Sequence, residues 1–341
     1  DEIESEGYDR ANMSLAQEHL DLLDAICEVH SDVVVVLSNG SAVTLPFEKK
    51  VKGIVEGWLL GQAGGKAIAQ VLFGHINPSG KLTETFPLTI QSTPSYGYFP
   101  GDINEVTYNE GIFVGYRYYD TKGVQVQYPF GYGLSYTTFV YNNFKMAKAS
   151  YNKDEKVTFT VDITNTGKVF GQEIVQVYVK DTESLLVRPE KELKAFKKVK
   201  LQSGETKTIE FELGERAFAY YVPRLKDFVV ESGQFELLIG GSVSDIRIQT
   251  QLTINSDVEV REYPTVDHSI GYWLNDPRTA AKVQATFAKL AELGGAAAQG
   301  MSDPGLLPMF MGMPIGVIIG FMKMSGMPEA VADEIVASLM S

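Results

Sequence analysis

At 341 residues, the chain has length for two or three domains, each with a core of its own. Its 44% apolar and 21% charged content is that of a globular protein. The excess of 43 acidic over 30 basic residues, without a Lys/Arg stripe, argues against nucleic acid and anionic membrane as partners. Cys27 is the only cysteine and the four histidines are scattered, so no disulfide framework, metal site or cofactor is expected.

The chain opens on Asp1-Glu2-Ile3-Glu4-Ser5-Glu6-Gly7-Tyr8-Asp9-Arg10, a poor helix and a poor strand, which reads as a loop. By composition this is a frayed acidic terminus. A Glu followed by Gly, whose backbone can turn where a side chain would block it, can also aim one carboxyl group into a cleft. Leu15 to Val29 then spaces Leu15, Leu22, Leu23, Ile26 and Val29 as an amphipathic helix. The run Asp32-Val33-Val34-Val35-Val36-Leu37 predicts a strand buried on both faces, as in a parallel sheet. Asn39-Gly40-Ser41 and Asn12-Met13-Ser14 fit a glycosylation acceptor, but a turn at a strand's carboxyl end accounts better for the former.

Val55-Glu56-Gly57-Trp58 leads to Gly61-Gln62-Ala63-Gly64-Gly65-Lys66-Ala67 and a helix ending in Val71-Leu72-Phe73-Gly74. This is no phosphate-binding loop, because Leu60 stands at its first glycine and Ala67 at its Ser/Thr. Asn77-Pro78-Ser79-Gly80-Lys81-Leu82-Thr83-Glu84-Thr85-Phe86-Pro87 reads as a turn and then a strand stopped by proline. From Gln91 to Tyr108 runs a long loop. Tyr108-Asn109-Glu110-Gly111-Ile112-Phe113-Val114-Gly115-Tyr116-Arg117 and Tyr128-Pro129-Phe130-Gly131-Tyr132-Gly133-Leu134 follow, aromatic and glycine-punctuated stretches suited to packing extended backbone between two domains. Short alternating strands at Val157–Ile163, Glu173–Val179 and Thr206–Leu213, separated by glycine turns, predict an antiparallel β-sandwich over 140–254. The tail, 255–341, turns helical at Pro277–Leu293 and at Pro328–Met340, where Val331, Ile335, Val336 and Leu339 share a face. Eight of ten methionines lie between Met301 and Met340, which suits packing over a neighbouring domain or lining an apolar groove. The apolar run from Met309 to Met322 is broken by glycine and proline and falls short of the roughly 20 residues of a membrane span.

Together, the opening loop, the Trp58-to-Gly74 segment, the Asn77-to-Pro87 turn and the two aromatic stretches resemble glycoside hydrolase family 3, of the β-glucosidase type. The resemblance covers about three quarters of the chain, in the family's order. It implies an α/β sandwich domain with a mainly parallel sheet over 1–139, a fibronectin type III-like domain over 140–254, and a mostly helical extension over 255–341. Arg188-Pro189-Glu190-Lys191-Glu192-Leu193 belongs to the second of these.

The resemblance also implies a retaining β-glycosidase acting on a β-linked glucoside or oligosaccharide, without a cofactor. Its general acid/base would be Glu6, with Glu110 in reserve, while Glu4 points elsewhere and Asp9 and Arg10 pin the loop by a charge-assisted hydrogen bond. The family's nucleophile, an Asp followed by Trp in a (β/α) barrel, has no counterpart here, since Trp58 and Trp273 follow Gly57 and Tyr272. The expectation is therefore a carboxyl-terminal part of an enzyme whose barrel-bearing segment is a separate partner, with a homo-oligomer also open. β-Xylosidase, β-galactosidase and α-L-arabinofuranosidase activities remain open, as does the compartment. A non-catalytic carbohydrate-binding or scaffold protein is the second reading, although an intact Ser5-Glu6-Gly7 loop has no purpose in it.

Overall fold

A computed structural model describes residues 5, 7, 8, 10–292, 305 and 307–340, which form two compact units, Asp1–Val260 and Arg261–Ser341. The first unit begins with helix α1 (Gln17–Val29), whose Leu20 and Leu23 pack towards a cluster of Leu37, Val43, Leu45, Phe47 and Phe86. Strand β1 (Val34–Leu37) runs parallel to β2 (Gly53–Glu56), pairing Val34 with Gly53 and Leu37 with Glu56. The valine run is not buried on both faces as its sequence suggests. Val34 is 50% and Val36 37% exposed, because alternate residues of a strand point to opposite faces and only the face of Val35 and Leu37 meets the core cluster.

Helix α2 (Gly64–Leu72) follows the glycine-rich turn and gives way to Gly74 in the left-handed region. The strand predicted after Gly80 narrows to β3 (Phe86–Pro87), antiparallel to β4 (Val126–Tyr128). Before it, Leu82 exchanges backbone hydrogen bonds with the loop at Gly131 and Tyr132.

The first aromatic stretch is not extended: Tyr116–Lys122 forms helix α3, and its seven residues bury Tyr116 and Tyr119. The Tyr116 ring stacks on Phe130 at 4.6 Å between centroids and meets Tyr178 edge-on, which ties the α/β part to the sandwich. Gly131, at φ +78°, permits this approach. A Cβ there would stand 2.2 Å from Gln176 Oε1, while Gln176 Nε2 donates to the Gly131 carbonyl. Arg117 pairs with Glu192 and Asp120 with Lys191 across the same junction.

The sandwich packs two sheets. One holds β5 (Phe139–Met146), β7 (Val157–Asn165) and β10 (Thr206–Leu213) in the order β10-β7-β5. The other holds β6 (Ser150–Asn152), β8 (Gly171–Asp181), β9 (Glu192–Leu201), β13 (Gly233–Gly240) and β14 (Ile246–Asn255) in the order β6-β14-β13-β8-β9. A side ribbon pairs β11 (Tyr220–Val222) with β12 (Asp227–Val229). Alternation along β7 is complete, and Val157, Val161 and Ile163 meet Val175, Val177, Leu237 and Ile239 with no exposure at all, as a two-faced core requires.

The second unit is helical: α4 (Ile270–Leu274), α5 (Ala280–Glu292), α6 (Leu307–Phe310), α7 (Ile315–Met324) and α8 (Glu329–Met340). Trp273, Val283, Ile318 and Ala332 lie in its core, joined by Met311, Met313, Met322 and Met327, so these methionines pack within their own unit. Its two halves face each other in matched fashion. Ile270 N–H donates to Met313 and Ile315 N–H to His268, while Gly271 N–H donates to Met311 and Gly316 N–H to Val266. Among the described residues no helix is long and apolar enough to cross a membrane.

Candidate active site

The polar groups of the α/β part gather at the carboxyl ends of β1 and β2, the edge at which open α/β sheets place their ligands. Residues 38–44 leave β1 and residues 57–60 leave β2. The two exits are joined by Gly57 N–H donating to the Leu37 carbonyl at 3.0 Å and Ser38 Oγ donating to the Trp58 carbonyl at 3.1 Å. Glu56, the last residue of β2, accepts the Trp58 amide at Oε1 over 2.8 Å. That bond holds Trp58 at φ +53°, a conformation a bulky residue adopts only when its surroundings impose it. The indole ring leans on Phe86, 5.7 Å between centroids.

On the β1 side, Asn39 is 5% exposed and turns its Nδ2 to the Ser41 carbonyl at 2.8 Å. Its amide is thus engaged inside a turn rather than offered for glycosylation. Ala42 N–H donates to Glu84 Oε1 at 2.7 Å. The opening segment is fastened to this loop. Thr44 donates to the Met13 carbonyl through its amide at 2.8 Å and its hydroxyl at 3.3 Å. Arg10 Nη1 donates to Ser41 Oγ at 3.4 Å and Nη2 to the Ser14 carbonyl at 3.3 Å. Upstream, Ser5 and Tyr8 form an isolated β-bridge, and Ser5 Oγ accepts the Gly7 amide at 3.2 Å.

The electrostatics of this edge centre on Glu56. Burial pushes its carboxyl above the ordinary carboxylate range, against the Trp58 amide and the Asn39 side chain, which favour the charged form, while the nearby charge of Glu84 adds to the rise. Its Oε2 is buried without a hydrogen-bond partner among the described residues, an environment that favours the protonated form.

Of the residues predicted from sequence, Glu6 and Asp9 lie outside the described residues, as does Glu4. Arg10 is described, and its bonds to Ser41 and Ser14 tie the opening segment to the strand-end loop. The reserve acid Glu110 sits in a turn closed by Phe113 N–H on its carbonyl. Among the described residues it shares no hydrogen bond or ion pair with Arg10, Glu56 or Glu84.

Sequence reasoning missed Ser41, Glu56 and Glu84. Glu56 carried a signal, an acidic residue closing an apolar strand directly before a glycine, whereas Glu84 lies in a stretch without periodicity. Among the described residues no group of three or more His, Cys, Asp or Glu side chains is placed to hold a metal. A groove of about 580 Å³ lined by Leu45, Glu48, Lys49, Leu88, Val126 and Gln127 includes none of these residues. Among the described residues this edge anchors the segment around Arg10 and Met13 to the loop leaving β1, and it brings together no nucleophile–base pair.

Residues 1–136 match the model of the glycosyl hydrolase family 3 C-terminal domain, and residues 173–243 that of the fibronectin type III-like domain. The chain is 50% identical over 281 residues to thermostable β-glucosidase B of Acetivibrio thermocellus, a match covering 82% of this chain and 37% of that protein. It is 42% identical over 316 residues to an exo-α-(1→6)-L-arabinopyranosidase of Bifidobacterium longum, covering 92% of this chain and 41% of the relative. Among solved structures, a family 3 β-glucosidase of Bifidobacterium adolescentis superposes with a TM-score of 0.74 at 42% identity, covering 82% of this chain and 41% of that one. The chain thus spans about two fifths of the length of the relatives it matches.

Proposed function

Since this chain carries the C-terminal domain of glycosyl hydrolase family 3 with a fibronectin type III-like domain behind it, we propose that it serves a retaining β-glycosidase as the portion that supplies the general acid/base, Glu6. The reading rests on one observation above the others. The opening segment that carries Glu6 in sequence is tied, through Arg10 and Met13, to the loop leaving the carboxyl end of a parallel strand, where a loop carboxyl is set by a rigid scaffold.

Retention needs two carboxyls about 5–5.5 Å apart, one ionised as nucleophile and one protonated to meet the departing oxygen. Glu6 takes the second role, donating its proton to the glycosidic oxygen and then removing one from the water that frees the sugar. The nucleophile, and most contacts to the sugar, come from a barrel-bearing segment or partner chain, in keeping with relatives more than twice as long. A β-glucoside is the first substrate on the strength of the 50% identical relative. An α-L-arabinopyranoside is the second, because that relative matches a larger share of this chain, 92%.

The test uses Glu6→Gln in the enzyme that includes the barrel. Loss of acid catalysis lowers kcat/KM on an alkyl glycoside by roughly 10²–10⁴ while a dinitrophenyl glycoside, whose leaving group needs no proton, loses little at the first step. Equal rates with parent and variant on both substrates would remove Glu6 from the reaction. Purified residues 1–341 alone are expected to turn over neither substrate.

A further inference from the structure

The edge that holds the opening segment contains a second carboxyl group that the proposed reaction does not use. Glu56 closes β2, accepts the Trp58 amide, and stands at the head of a continuous series of contacts. The Trp58 carbonyl accepts Ser38 Oγ. Ser38 adjoins Asn39, whose side-chain amide donates to Ser41, and Ser41 Oγ accepts Arg10. Beside this path, Glu84 fixes the Ala42 amide, and the Thr44 amide fixes Met13. The hydrogen bonds measure 2.7–3.4 Å, and the backbone of residues 38–41 carries the series between them, so the turn after β2, the loop after β1 and Arg10 are joined.

We propose that Glu56 is a positioning residue for the acid: by holding Trp58 in its left-handed turn it fixes the strand-end loop, and through Ser41 and Arg10 the segment on which Glu6 is carried. This rests on the reading of Glu6 as the acid/base. Two features say that Glu56 does more than close a turn. Its Oε1 stabilises a conformation unfavourable for tryptophan, so removing the acceptor lets Trp58 relax and the Ser38 contact with it. In addition, its buried Oε2 lies beside the Asn39 side chain, whose Oδ1 is likewise without a hydrogen bond among the described residues, so a glutamine amide finds an acceptor there where a displaced charge does not. The role needs an acceptor at the right reach rather than a charge.

The prediction is specific to leaving group. In the barrel-containing enzyme, Glu56→Ala lowers kcat/KM on an alkyl glycoside on the order of tenfold or more, as small misplacements of a catalytic group do, and leaves the dinitrophenyl glycoside within about threefold. Glu56→Gln, which keeps the acceptor, restores the alkyl glycoside to near parent. Should Glu56→Ala fail to fold, Glu56→Asp withdraws the acceptor while keeping a carboxyl group and carries the same expectation. Equal losses on both substrates would reduce Glu56 to a structural residue, and parent-like rates in Glu56→Ala or Glu56→Asp would remove it altogether. If Glu6→Gln itself leaves the alkyl glycoside untouched, the identity of the acid has failed, and that outcome is read separately from the Glu56 variants.

Discussion

The β-sandwich and the β1–β2 edge are both built on β-branched strands, and they use them in opposite ways. In the sandwich each inward apolar residue of β7 meets a second sheet and is buried to 2% exposure or less. Along β1 the same valine chemistry leaves Val34 and Val36 exposed by a third to a half, and α1 buries no residue fully. The sandwich invests its residues in its own core. The edge leaves apolar surface open and concentrates its polar contacts where the strands end. Stability and chemistry are thereby separated in space: substitutions in the sandwich should change how well the chain folds, and substitutions at the edge should change what the folded chain does.

Leu237→Ala puts this separation to the hardest test. The side chain is fully enclosed, and its loss should cost about 2–5 kcal/mol in urea denaturation. A cost below about 1 kcal/mol would mean that the sandwich is not the closed body described. Gly131→Ala should come next, about 1–3 kcal/mol, since the added methyl meets Gln176 Oε1 and the residue must hold φ +78°. An unchanged melting temperature would show that the junction yields.

Glu56 gives a smaller, pH-dependent effect. Burial raises its carboxyl, so the folded chain keeps a proton that the unfolded chain releases near pH 4.3. Its contribution is full below that pH and declines as pH rises through the raised value. Comparison of urea midpoints for the parent and Glu56→Gln between pH 4.5 and 7 should show the parent losing stability relative to the variant as pH rises. A gain with rising pH would contradict the assignment. Leu22→Ala, on the open face of α1, should change stability by no more than about 0.5 kcal/mol. A larger cost would show that this face is covered.

What could be read beforehand follows the same division. The sandwich strands at 157–163, 173–179 and 206–213 and the helices before Glu292 and Met340 declare themselves by periodicity, because the residues that fill a core must repeat with the backbone. Tyr116–Lys122 escaped because its helix has only two turns and is held by aromatic contacts with Phe130 and Tyr178, partners that no local pattern reveals. Arg10 was picked out from its place in a motif as Asp9's partner in the loop, and its bonds to Ser41 and Ser14 were not foreseen. Ser41 and Glu84 were not, since each reaches its partner across 31 or 42 positions of sequence, a pairing that only folding creates. Glu56 lay between the two: its place at the end of a strand was visible, and its burial was not.

Azide rescue of Glu6→Ala in the barrel-containing enzyme, with an activated aryl β-glycoside as substrate, tests the acid/base assignment most directly. The small anion should occupy the space of the missing carboxyl, raise the turnover rate and appear in a β-configured glycosyl azide, as attack on a glycosyl-enzyme with its acid/base deleted requires. A variant whose rate ignores azide and whose only product is the free sugar would contradict the placement of the proton on Glu6.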